Sequence, residues 1–484
     1  MHQALFISEI FLDIVSAPSL PRQSLAALAR TCKTFHEPAM DALWADMHGI
    51  EPLLGCVTRL HPMIYPAAKW FGSKLDGTEP LSEYETSHFL RHAARVRSLV
   101  IGIWCPYHLL PVLRVEACLF PRLLTLDWRP GTSTRLHLFL SPTLRRFELD
   151  RRVRLVHSNL TFIATHCHVL ENLFLGNSER GAKYYKQSPQ SEIIRSCSRL
   201  KHLRCPSLDS AAWKHLSNLP TLVAVSICGG LDKAQLNRDN INFTPFLNVT
   251  TLYFDVKSAS DIITLIQHSE FPSLKKFVMY VVILPWAEAE QLFHALSWCK
   301  ACHTLEDITI YSRRAEDGHS YEPWTAIRRF LCIPQLRILS LTAHCPIYLD
   351  NNLLLEAMSS WPYICHLDLM DQRSPTSPPT VSFCGLFSAL RLCPHLRYLK
   401  THMDAVNIDI IPTSDSFQHA SLRMLDVGSS DVADVEAVAR IIFLKLPRVR
   451  RVSFDTKGGS ELGWEEINWQ LRMFEAFGYE LVVA

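Results

Sequence analysis

IPQLRILSL, residues 333–341, repays reading one residue at a time. Leu336, Leu339 and Leu341 are spaced three and then two apart. The last two share one face of an extended chain, whose side chains alternate with period two. Pro334 cannot donate to a β-ladder and ends any preceding helix, so it belongs just ahead of a strand. The form is apolar–Pro–x–Leu–x–x–Leu–x–Leu, and it recurs. FPRLLTLDW (120–128), SPTLRRFEL (141–149), CHVLENLFL (167–175), CSRLKHLRC (197–205), LPTLVAVSI (219–227), FLNVTTLYF (246–254) and FPSLKKFVM (271–279) precede it. CHTLEDITI (302–310) also precedes it. WPYICHLDL (361–369), CPHLRYLKT (393–401), HASLRMLDV (419–427) and LPRVRRVSF (446–454) follow. Ala93–Ile101 is a plausible first copy, for about fourteen in all.

The apolar pattern selected these segments, so the second position gives an independent check. At average usage of about 5% it would be Pro about once in fourteen copies. It is Pro in eight: Pro121, Pro142, Pro220, Pro272, Pro334, Pro362, Pro394 and Pro447. Copies start 21 to 32 residues apart, around the leucine-rich-repeat range. Stretches ahead of the phrase have helical spacing. Leu292, Phe293, Leu296 and Cys299 share one face within 287–299, and Val435, Val438, Ala439 and Ile442 do so within 432–444. One unit therefore reads as helix, tight turn, strand. It cannot bury its apolar stripe alone, so neighbours must stack. The expected fold is α/β, with a parallel sheet inside and helices outside. The phrase resembles the leucine-rich repeat of the helix-containing kind, which implies a right-handed solenoid with the sheet on its concave face. The Asn or Cys usual after the strand is absent from most copies, so the repeats are degenerate.

Residues 5–46 differ. Ile7, Ile10, Phe11, Ile14 and Val15 form a helical stripe, which Pro18 and Pro21 break. Leu25, Leu28 and Ala29 start a second helix, followed by Cys32 and Phe35. Pro38 suits the first turn of a third, which carries Ala39, Leu43 and Trp44. Three short helices cannot enclose a stable core unaided. Ile7, Glu9, Ile10 and Ile14, then Leu25, Leu28, Ala29, Thr31, Cys32, Lys33 and Phe35, then Leu43 and Trp44, resemble the F-box. TCKTFHEPAMDALW (31–44) is especially similar to F-box proteins of mushroom-forming fungi. Ser8 stands where the family carries Pro. The resemblance implies docking on a Skp-type adaptor, and through it on a cullin–RING ubiquitin ligase. Ile7, Ser8, Glu9, Ile10, Ile14, Leu25, Leu28, Cys32, Phe35, Leu43 and Trp44 would be contact or support residues. The expected organisation is a three-helix module over 1–46, a packed connector over 47–81 rich in Pro and Gly, and the repeat array over 82–484. Ser82 and Glu85 form a capping box opening a helix to about Arg95.

A protein target would lie on the outward strand positions between the apolar ones. The candidates are Phe174, His202, Arg204, Tyr253, His366, Asp368, Tyr398 and Lys400. The alternative is a repeat scaffold uncoupled from ubiquitylation, its helical N-terminus merely capping the array.

Composition bounds the rest. The 484 residues are 48% hydrophobic with net charge +2, so there is no global case for nucleic acid or anionic membrane as a partner. No secretion signal or membrane-spanning run is evident. The fifteen scattered cysteines read as reduced thiols of a cytoplasmic or nuclear protein. Cys299-x-x-Cys302-His303 matches a haem-attachment string, but Cys302 occupies the apolar first slot of its repeat, as do Cys167, Cys197 and Cys393. His166-Cys167-His168 lacks a second cluster at zinc spacing. No phosphate loop or catalytic motif is present, so no enzyme, cofactor or metal is expected.

Overall fold

The repeat phrase folds as a β-turn followed by a strand. In a computed structural model, the Leu336 amide donates to the Ile333 carbonyl at 3.4 Å, so Pro334 sits second in a four-residue turn. Leu123, Leu144, Leu222, Leu274, Ile364, Leu396 and Val449 close the same turn over Pro121, Pro142, Pro220, Pro272, Pro362, Pro394 and Pro447. That place wants φ near −65°, which the pyrrolidine ring supplies. The first Leu therefore belongs to the turn, and the strand starts two residues later.

The structure describes residues 8–15, 17, 20–65, 79–103, 107–113, 115, 117–131, 133, 135–150, 152–153, 155, 157–176, 189–229, 243–314, 327–343, 347, 349–371, 380–411, 416–455 and 461–477. They fall into two compact units, Met1–Leu222 and Val223–Ala484.

The first unit opens with α1 (Ser8–Val15), α2 (Arg22–Ala29) and α3 (Lys33–Ala45), which runs directly into β1 (Asp46–His48). Next come α4 (Glu51–Gly55), α5 (His61–Ile64), α6 (Glu83–Ala93), β2 (Ser98–Ile101), β3 (Thr125–Trp128) and β4 (Arg146–Leu149). It ends with α7 (His157–His166), β5 (Asn172–Leu175), α8 (Pro189–Ser196), β6 (His202–Cys205) and α9 (Ser210–Ser217). β1 to β6 pair in chain order, all parallel. The register sets Leu99, Leu126, Phe147, Leu173 and Leu203 side by side, all buried.

The second unit begins with β7 (Ala224–Cys228), β8 (Thr251–Val256), α10 (Ser260–Gln267), β9 (Lys276–Ile283) and α11 (Trp286–Trp298). It continues through β10 (Asp307–Arg314), α12 (Ile327–Phe330), β11 (Ile338–Ala343), α13 (Asn351–Ser360), β12 (His366–Asp371) and α14 (Phe383–Leu390). β13 (Tyr398–Lys400), β14 (Met424–Asp426), α15 (Val435–Lys445), β15 (Val452–Ser453) and α16 (Glu461–Phe477) complete it. Its strands are again parallel neighbours in chain order. Val225, Leu252, Phe277, Ile308, Leu339, Leu367, Leu399, Leu425 and Val452 form its buried column. Each unit thus has the α/β repeat architecture of the leucine-rich kind.

Several expectations need adjustment. α3 begins at Lys33, and Pro38 lies inside it rather than in its first turn. The sheet begins at β1, across the boundary between the module and the span read as a connector, because Asp46, Met47 and His48 pair with Ser98, Leu99 and Val100. Not every strand is preceded by an α-helix. Short 3-10 turns, Tyr107–Val112 and Leu136–Phe139, precede β3 and β4. Only 21 residues separate the phrases beginning at Phe120 and Ser141, which leaves less chain for a full helix. Cys167, Cys197 and Cys393 fill core positions, and burial pushes their thiols up to about 12. Cys302, given the same slot, is only half-buried. Asn159 is also buried and donates to the Ser133 carbonyl at 3.2 Å. The capping box forms as read: the Glu85 amide donates to Ser82 Oγ and the Ser82 amide to Glu85 Oε2.

Candidate functional site

α1 is apolar on two faces, and the module's own core uses one of them. Phe11 and Val15 turn inward to Leu25 and Phe35, where the Phe11 and Phe35 rings stack at 4.2 Å. Leu28, Cys32 and Leu43 pack against that cluster. Ile10 and Ile14, one helical turn apart, remain 39% and 40% exposed, and Leu12 is 48% exposed. Glu9 is exposed beside them, while Ile7 and the Ser8 side chain lie outside the described residues. Sequence reasoning overlooked Leu12, which falls off the i, i+3, i+4 stripe. Its exposure depends on how α1 rolls against α3.

The module's other end is held by its own chain. Arg95, buried just past α6, donates to Glu37 Oε2 at 2.5 Å and also pairs with Asp41 on α3. The Arg95 hydrogen bond holds the Glu37 carboxyl below its usual range. The Trp44 ring packs at a tilt against His92 of α6, ring centres 4.9 Å apart. Trp44 therefore packs within the chain, whereas Ile10, Leu12 and Ile14 face outward.

The sheet's outward positions form the other surface, taken unit by unit. In the first unit Phe174 pairs in register with Glu148 and Arg204, and the Arg146 guanidinium lies 5.0 Å from its ring. His202 is half-buried, which depresses its pKa, and Arg204 is exposed. In the second unit Tyr253 lies 5.8 Å from Tyr280, itself 5.8 Å from Tyr311. Tyr280 and Tyr311 were not anticipated because β9 and β10 run past the repeat phrase. The continuous apolar run over 277–283 was the signal available.

On β11 to β14 register produces two adjacent rows. Ser340, Asp368, Lys400 and Asp426 form one; Ile338, His366, Tyr398 and Met424 form the other. The His366 and Tyr398 rings stack at 4.2 Å and 5°. Lys400 Nζ lies 3.3 Å from Asp426 Oδ2, and Ser340 Oγ donates to Asp368 Oδ2 at 3.4 Å. Asp368 Oδ1 is buried without a hydrogen-bond partner. Burial raises the Asp368 carboxyl to about 6 against the pull of Lys400, and pushes the Tyr398 hydroxyl up to about 12. Four of the eight anticipated target residues thus meet here: His366, Asp368, Tyr398 and Lys400.

Among the described residues no group of three or more His, Cys, Asp or Glu side chains is placed to hold a metal ion. His166 stacks on Phe162 at 3.9 Å. No helix among them is long and apolar enough to cross a membrane.

No protein-family model and no curated protein matches the chain. Solved structures similar to it include an internalin, InlF, from Listeria monocytogenes: 11% identity, TM-score 0.36, over 74% of this chain and 88% of that one. Another is the APL1 leucine-rich repeat domain: 13% identity, TM-score 0.30, over 75% of each chain.

Proposed function

We propose that this protein is the substrate-recognition subunit of a cullin–RING ubiquitin ligase. The module of α1–α3 would dock on a Skp-type adaptor, and the repeats would hold a protein target. The observation that carries this reading is the Ile10 and Ile14 face of α1, which stays exposed on a module whose central core is four side chains, Phe11, Val15, Leu25 and Phe35. Apolar surface in a contiguous patch marks a protein contact. The residues from Glu9 to Trp44 resemble the F-box phrase. The role is scaffolding: adaptor and target held on one chain gain reactivity by proximity. The protein would then act in the cytoplasm or nucleus, with no chemistry of its own.

The test is capture of the full-length chain by a recombinant Skp-type adaptor. Ile10→Asp with Ile14→Asp should abolish capture while the chain still melts cooperatively, since neither side chain belongs to the module's buried core. Leu28→Asp is a poorer probe because Leu28 packs on the module's core. Capture that survives the double change refutes the ligase reading. A scaffold without a ligase is the second reading. Ser8 in the family's Pro position favours it, as does the fastening of α3 to the array through Arg95.

A further inference from the structure

We propose that the outward face of β11–β14 docks a lysine- or arginine-bearing segment of a partner protein, with Asp368 receiving the cation. The inference rests on reading the repeats as a binding surface, and it adds the chemistry of what is bound. Three carboxylates point outward from β10 to β14: Asp307, Asp368 and Asp426. Lys276 Nζ reaches Asp307 at 2.5 Å, and Lys400 reaches Asp426 at 3.3 Å. Asp368 makes no ion pair among the described residues. Its Oδ2 accepts from Ser340, and its Oδ1 is desolvated with nothing donating to it. A desolvated carboxylate is costly until a donor meets it, and a cation is the strongest such donor.

The surroundings suit a long cationic side chain. The stacked His366 and Tyr398 rings form a flat plate one row from Asp368, and Met424 stands exposed at its end. An aliphatic stem can lie on that plate while its charge reaches the carboxylate. An acidic segment would meet Asp368 as a like charge.

The test is selection of phage-displayed random dodecapeptides on the purified full-length chain, followed by fluorescence polarisation with synthetic copies. Recovered peptides should share a Lys or Arg whose replacement by norleucine weakens binding at least about tenfold. Asp368→Asn should cause the same loss, and Asp307→Asn, whose carboxylate already has Lys276, a change within about twofold. Peptides with no shared cation, acidic peptides, or binding indifferent to Asp368→Asn overturn the proposal. So does a failure to recover any peptide on a chain that melts cooperatively. Adaptor capture on the same preparations separates the two readings. Its absence with intact, Asp368-dependent peptide binding removes the ligase function alone.

Discussion

Replacing Asn468 by Leu should unfasten the end of the second unit. β15 is its last strand, and its outer edge would present an unpaired amide and carbonyl at Val452. Asn468 of α16 meets both: the Val452 amide donates to Asn468 Oδ1 at 2.7 Å, and Asn468 Nδ2 donates to the Val452 carbonyl at 2.9 Å. A primary amide offers the same donor and acceptor as a neighbouring strand, so α16 ends the ladder without adding a strand. Asn468 is 4% exposed and Val452 fully buried, so water cannot easily substitute. A buried polar group left unsatisfied costs about 1–3 kcal/mol. Two such groups, less about 1 kcal/mol for the apolar surface Leu buries, give a net loss of about 1–5 kcal/mol. Urea denaturation followed by circular dichroism measures the loss. Hydrogen exchange at the Val452 amide locates it, because that amide should lose protection while Leu425, one strand inward, keeps most of its own. An exposed edge also templates strand pairing between chains, so the variant should aggregate at lower concentration. If Asn468→Leu unfolds within about 0.5 kcal/mol of the parent and Val452 stays protected, the edge-capping argument is wrong.

Leu339→Ala, in the buried column of the second unit, should cost about 2–5 kcal/mol by denaturant titration, since its neighbours Ile308 and Leu367 on either side cannot collapse into the space. Pro334→Ala keeps every contact but frees the unfolded chain, so a loss of only about 0.4–1 kcal/mol is expected. Asp368 should make stability fall as pH rises. Its folded pKa is raised, so the folded state holds the proton more tightly and that advantage disappears between about pH 4 and pH 6. The change should reach at most about 3 kcal/mol, and Asp368→Asn should flatten this window in melts recorded against pH.

Much of the repeat unit was legible because its causes are local. A three-then-two Leu spacing marks a turn followed by a strand, and Pro at the second position names the turn. The same slot logic explained Cys167 and Cys393 as core thiols. Pro38 misled for the same local reason: it fits a first helical turn, yet Lys33 already begins α3, since losing one helical hydrogen bond is tolerable where the helix packs on Phe11 and Arg95. β1 was missed because Asp46–His48 is too short to show a period and becomes a strand only by pairing with β2.

The sequence by itself determined that the chain is a stack of turn–strand repeats with a short helical module in front, because side-chain period and proline chemistry act within nine residues. Only the tertiary structure decided which outward residues meet. Asp368 and Lys400 lie 32 positions apart, Arg95 and Glu37 58 apart, and Asn468 and Val452 16 apart. Their meeting depends on strand register and on how each helix rolls against its sheet, both set by packing between neighbouring repeats rather than by any residue's neighbours along the chain.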